Sequence, residues 1–204
     1  SGEQKDLYEA MEDELLIELQ SGAKITAPIA LVKYLRLQQI SSGVAGDVDG
    51  AQHNLIDPFK NPRINVILDI LENEIENKVI IPCRFKLSIE NLEKVLTKHG
   101  YKTAKMIGSM GAELENQKFI FNNDPSVNIM LAQLQVLSFG HTLCGPDENP
   151  CNDMIFYEND FSLINRAQAE SRPEKYERES TISYHDMYSS AMDKYILKRL
   201  IAKE

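Results

Sequence analysis

From Ile64 onward the chain alternates short apolar runs with longer amphipathic ones, and this alternation limits the fold more than any other feature. The runs KVIIPC (78–83), KTAKMI (102–107), VNIMLAQ (127–133), MIFYE (154–158) and TISYHD (181–186) have the length and composition of strands. Between them, INVILDILENEIEN (64–77), SIENLEKVLTKHG (88–100, capped by Ser88), AELENQKFIFNN (112–123), a short segment through 166–172 and SSAMDKYILKRLIAK (189–203) read as helices. Strands separated by helices of this length predict an α/β domain whose mainly parallel sheet is covered on both faces. Ligands of such sheets lie beyond the carboxyl ends of the strands. That directs attention to the loops RFKLS, GSMGA, LQVLSFGHTL and NDFSLINRAQAESR.

Upstream, Leu7, Met11, Leu15 and Leu19 recur every four residues and predict one amphipathic helix ending at Ser21-Gly22. A second helix starts near Thr26, with Pro28 in its first turn. The stretch SSGVAGDVDGAQHNLIDPFKNPR (41–63) reads as a loop-like linker. The expected organisation is a helical segment and linker over 1–63, then the α/β domain over 64–204.

With 43% hydrophobic and 26% charged residues among 204, the composition is that of a globular protein with a sizeable core. No apolar run reaches the roughly 18 to 20 residues of a membrane span. Three irregularly spaced cysteines, Cys83, Cys144 and Cys151, do not form a disulfide framework, and a reducing cytoplasmic location is expected. The net charge of -9 argues against nucleic-acid binding by charge alone, so any such binding needs a local basic groove.

Gln168 and Arg172 stand four residues apart, as do Arg166 and Glu170, so a helix aligns each pair on a face until Pro173 ends it. Spacing alone does not choose between a solvated helix with an ion pair and a clamp of guanidinium groups on phosphate. Ser138, Gly140 and Thr142 follow an apolar strand, where backbone either approaches a ligand or simply turns. His141, Cys144 and Cys151 have neither zinc-site intervals nor an evident fourth ligand, and no metal is expected on them. No G-x-x-x-x-G-K-[ST] loop is present, and the acidic pair in MEDELL sits within a helix, so this chain has no evident site of its own for Mg²⁺ and a triphosphate.

The order of these elements resembles a known family. VIIPCRFKLSIENLEKVLTKHGYKTAKMIGSM is similar to the start of the second RecA-like lobe of superfamily 2 helicases, and LENQKFIFNNDPSVNIMLAQLQVLSFGHTL to the part that ends in the motif V loop. NDMIFYENDFSLINRAQAESR resembles the strand and motif VI of Swi/Snf-type translocases, Gln-Ala-x-x-Arg-x-x-Arg, here Gln168, Ala169 and Arg172. YLRLQQISSG looks like the helix preceding that lobe, especially in the compact phage and prophage versions.

The resemblance implies a RecA-like fold and an ATP-dependent DNA helicase or translocase, with ATP and Mg²⁺ held largely by an N-terminal lobe of the same parent chain and with DNA, duplex in the first place, as the track. It implies that Arg172 stabilises charge on the transferred phosphoryl group, oriented by Gln168. Gly140, Arg166, Lys175 and Arg178 would face the nucleotide, and Lys86, Ser109, Gln133 and Ser138 the nucleic-acid backbone. Two departures stand out: Lys175 occupies the position of the second motif arginine, with Arg178 further on, and Pro173 lies between. A lysine offers no planar two-point clamp. Together with the acidic net charge, Lys175 suits a second reading, a non-catalytic α/β interaction module.

Overall fold

A computed structural model describes residues 2–20, 27–46, 51–174 and 181–202. Two helices, α1 (Gly2–Gln20) and α2 (Ala27–Ser42), lead into a small antiparallel pair, β1 (Val44–Gly46) with β2 (Gln52–Asn54). The segment read as a loop-like linker therefore carries structure of its own. Asn61 then starts α3 (Pro62–Asn73), its side chain accepting the Arg63 N–H at 3.0 Å, with Pro62 at the first helical position. The cap sets this helix two residues earlier than the apolar pattern suggested. It ends earlier as well, where the Glu74 N–H bonds back to the Ile70 carbonyl at 2.8 Å.

The expected strands and helices follow in order, with one short helix, α6, where a loop was expected: β3 (Lys78–Cys83), α4 (Lys86–Lys98), β4 (Thr103–Met106), α5 (Glu113–Asn123), β5 (Ile129–Gln133), α6 (Leu134–Leu137), β6 (Cys151–Phe156), α7 (Leu163–Glu170), β7 (Ser183–Asp186) and α8 (Ala191–Ile201). The five longer strands form one parallel sheet in the order β4-β5-β3-β6-β7. All residues of β3, the central strand, are buried, as expected where helices cover both faces. Ile64, Ile67, Leu92 and Leu96 of α3 and α4 pack with Val79, Ile81 and Leu131 on one face. On the other, Phe121, Leu137 and Ala169 of α5, α6 and α7 pack with Ile80, Met130 and Met154.

A third apolar cluster ties the N-terminal helices to the last one: Leu37 of α2 meets Met192, Ile196 and Leu200 of α8, flanked by Tyr8 and Met11 of α1. The stripe expected on α1 is thus used in part. Met11 packs and Leu7 is exposed, while the side chains of Leu15 and Leu19 lie outside the described residues.

Lys78 opens β3 fully buried, and no carboxylate among the described residues forms a salt bridge with it. Its ammonium donates to the Asp124 carbonyl at 2.7 Å and to that of Val127, 5.0 Å from the centre of the Phe121 ring, and burial lowers its pKa. Its stem passes Gly145, whose φ of +66° and near approach to Asn149 and Lys78 leave no room for a Cβ. No described helix is long and apolar enough to cross a membrane.

Candidate functional site

The carboxyl ends of the central strands are joined by one buried carboxylate. β6 ends at Phe156, short of the expected MIFYE strand; the Tyr157 N–H still bonds to the Pro82 carbonyl of β3 at 3.0 Å, and Glu158 then reaches the start of α4. Glu158 accepts the N–H of Arg84 at 2.8 Å, the N–H of Phe85 at 3.0 Å and the Ser88 hydroxyl at 2.6 Å. Helix α4 begins at Lys86 with no side-chain cap of its own, so Glu158 supplies from another strand what Ser88 was expected to supply locally. Ser88 is instead the third helical residue, held to that carboxylate.

Burial pushes the Glu158 carboxyl above its ordinary 4.5, against the pull of its hydrogen bonds and of Arg63. A carboxyl raised in the folded state binds more protons there than when unfolded. Its contribution to stability is most favourable below 4.5 and declines as pH rises through the raised value. Glu158→Gln removes that dependence. The stability of the natural protein relative to this variant, from urea unfolding, should therefore be lower at pH 8 than at pH 5; an equal difference at both would contradict the assignment.

Beside this carboxylate a cleft of about 400 Å³ is bordered by Arg84, Lys86, Glu90, Gln133 and, from β2, Gln52. Lys86 is exposed, with Glu90 3.8 Å away. Gln133 accepts the Gly108 N–H at 3.2 Å and so ties the turn bearing exposed Ser109 to the end of β5. Lys86, Ser109 and Gln133 therefore gather at neighbouring strand ends. Ser138 stands apart at the end of α6, its hydroxyl donating to the Gln135 carbonyl at 2.6 Å. Arg84, not among the residues singled out from the sequence, donates from its Nη1 to Gln38 Oε1 at 2.6 Å. The one signal for it was its place directly after a buried strand.

The second group centres on α7. Ser162 caps it by accepting the Asn165 N–H at 3.2 Å, and Asp160 accepts the Ser162 N–H at 2.8 Å. Arg166, 8% exposed, pairs with Glu170 at 2.5 Å as the four-residue spacing suggested. It also donates to Asp186 at 3.1 Å and to Asn159 at 3.0 Å, and it stacks 3.4 Å from the centre of the Phe156 ring. Every guanidinium nitrogen of Arg166 has a partner. The residue expected at the nucleotide is committed to holding α7 against β7.

Arg172 lies just beyond the helix. Its Nε donates to the Gln168 carbonyl at 2.5 Å, its Nη1 reaches the His141 carbonyl at 3.5 Å, and its own carbonyl accepts the Leu143 N–H at 2.9 Å. This knits the end of α7 to the loop after β5. There Gly140 adopts φ +81° with open space where a Cβ would stand. Arg172 Nη2 and the Gln168 carboxamide have no hydrogen-bond partner among the described residues. His141 lies 3.7 Å from Glu115, and its burial lowers its pKa. Among the described residues no three His, Cys, Asp or Glu side chains converge as a metal site. Lys175 and Arg178 lie outside the described residues.

No protein-family model matches the chain, and no curated protein does. Solved structures do. The SWI2/SNF2 ATPase core domain of Sulfolobus solfataricus matches over 100% of this chain and 41% of its own, with a TM-score of 0.71 and 15% identity. The C-terminal domain of a SWI2/SNF2 ATPase from the same organism matches over 100% of this chain and 82% of its own, at 0.70 and 17%. The C-terminal part of the Fun30 ATPase domain matches over 72% and 47%, at 0.63 and 20%. The chain thus spans less than half the length of two of these structures. The shared property is the fold: a RecA-like α/β lobe of the kind found at the C-terminal side of these ATPase domains.

Proposed function

We propose that this chain is the C-terminal lobe of an ATP-dependent DNA translocase of the Swi/Snf type within superfamily 2, in its compact, phage-type form, acting in the cytoplasm. The carrying observation is the placement of Arg172 on the joint between α7 and the loop after α6, with its Nη2 unpartnered among the described residues. Carbonyl contacts hold the side chain while leaving its charge available.

In this reading ATP lies between this lobe and an N-terminal lobe that brings the phosphate loop and the carboxylates for Mg²⁺. Bound there, the nucleotide supplies the phosphoryl group whose transfer the enzyme accelerates. Arg172 presents planar donors to that group as charge develops on it, oriented by Gln168 one helical turn away, whose carbonyl accepts from its Nε. Arg166 takes no part in contact and keeps α7 seated. Arg84 and Lys86 give an otherwise acidic chain a local pair of cations at the strand ends, suited to a phosphate backbone, with Gln133 and Ser109 beside them. Lobe closure and opening would then advance the protein along its track.

The test is ATP hydrolysis by the parent polypeptide containing both lobes, without nucleic acid, with duplex DNA and with single strands. Stimulation by duplex DNA is expected. Absence of turnover in all three would favour the interaction-module reading, in which Lys175 marks lost catalysis.

A further inference from the structure

Gln38 belongs to α2, outside the five-stranded sheet, yet it is 1% exposed and uses both ends of its carboxamide. Its oxygen accepts from Arg84 Nη1 at 2.6 Å, and its nitrogen donates to the Asn159 carbonyl at 2.5 Å. Asn159, 5% exposed, continues the chain: its Oδ1 accepts from Arg166 Nη1 at 3.0 Å and its Nδ2 donates to Asp186 at 2.8 Å. Arg166 is part of α7, the helix that carries Gln168 and ends two residues before Arg172. A path of hydrogen bonds, crossing Asn159 from its backbone carbonyl to its side chain, therefore runs from a cation bordering the cleft to the helix that leads into the arginine proposed for the nucleotide. A second link runs alongside, since Glu158, next to Asn159, holds the Arg84 N–H.

We propose that Gln38 is a positioning residue that couples occupation of the cleft at Arg84 to the setting of α7, and so of Arg172. The inference rests on the two-lobed translocase reading given above. Three physical features carry it. The link has one polarity: a flipped carboxamide would set NH₂ against guanidinium and oxygen against carbonyl, so it is either made or broken. Between Gln38 and Asn159 it is buried, so water does not readily replace that bond once broken. Its other end, Arg84, is half-buried and borders the cleft, where an anion would compete with Gln38 for the guanidinium. A contiguous path becomes a coupling only when a variant changes how one site responds to the other.

The experiment uses the two-lobed parent and two variants. Gln38→Met keeps the length of the side chain and removes both bonds; Gln38→Glu keeps an acceptor for Arg84 and loses the donor to Asn159. ATP turnover is measured without DNA and with saturating duplex DNA, alongside the thermal unfolding midpoint. The expected result is basal turnover within about twofold of the natural protein and a stimulation ratio lower by about tenfold in both variants, a size usual for coupling between sites. An unchanged ratio, or equal losses in the basal and stimulated rates, would overturn the proposal. If Gln38→Met does not fold, Gln38→Glu decides alone. A natural protein with no turnover sinks the translocase reading and the coupling with it, whereas an active one with unaffected variants sinks the coupling only.

Discussion

On the translocase reading proposed above, Arg172→Ala in the two-lobed polypeptide is expected to lower DNA-stimulated ATP hydrolysis by about 10³- to 10⁵-fold, the range associated with losing an arginine that stabilises a transferred phosphoryl group. Folding should change far less. The half-buried side chain bonds to two backbone carbonyls, of Gln168 and His141, and losing such bonds costs about 1 kcal/mol each. The lobe therefore stays folded while turnover disappears, and circular dichroism beside the ATPase assay separates the two. Arg172→Lys keeps the charge but loses the planar fork, and is expected to recover little. Turnover of Arg172→Ala within tenfold of the natural protein would remove Arg172 from the site.

The largest effect on stability falls on a different arginine. Arg63, on the first turn of α3, pairs with Asp193 at 2.9 Å with both side chains under 5% exposed. It also donates to Ser189 at 3.1 Å, to the Met187 carbonyl at 3.1 Å and to the Tyr157 carbonyl, so it joins α3 to the ends of β6 and β7 and to α8. Arg63→Ala leaves Asp193 buried without its cation, a change that generally costs about 3 to 5 kcal/mol. Against a total domain stability of about 5 to 15 kcal/mol, that is a large fraction. Urea unfolding of this chain should show a correspondingly lower midpoint, and a loss under about 1 kcal/mol would mean that Asp193 finds another partner or water.

These two arginines also mark what could be read from the sequence. Arg172 can be proposed from the sequence because Gln168, Ala169 and Arg172 keep a motif's local spacing, and local spacing survives on the page. Likewise β3 falls on KVIIPC residue for residue, since a strand buried on both faces is apolar along nearly all its length; the exception, Lys78, opens the strand with its ammonium bonded to carbonyls. Arg63 was not legible. Its partners Tyr157, Met187 and Asp193 lie about 94 to 130 positions away, and nothing near it in the chain announces them. The same holds for Glu158 capping α4, and for Gln38 and Asn159, whose pairing spans 121 positions. The β1–β2 pair was read as loop because each strand has three residues, too few for any alternation to show. For Arg166 the four-residue spacing shows the pairing with Glu170 but not the one with Asp186 on the neighbouring strand, which only the sheet order brings alongside.

The most direct test of the central claim is a structure of the two-lobed polypeptide with a non-hydrolysable ATP analogue and Mg²⁺. The predicted result has Arg172 about 3 Å from an oxygen of the terminal phosphate, while Arg166 stays on Asp186 and the carboxylates holding Mg²⁺ come from the other lobe. A nucleotide bound with Arg172 turned away, still tied to the carbonyls of Gln168 and His141, would contradict it.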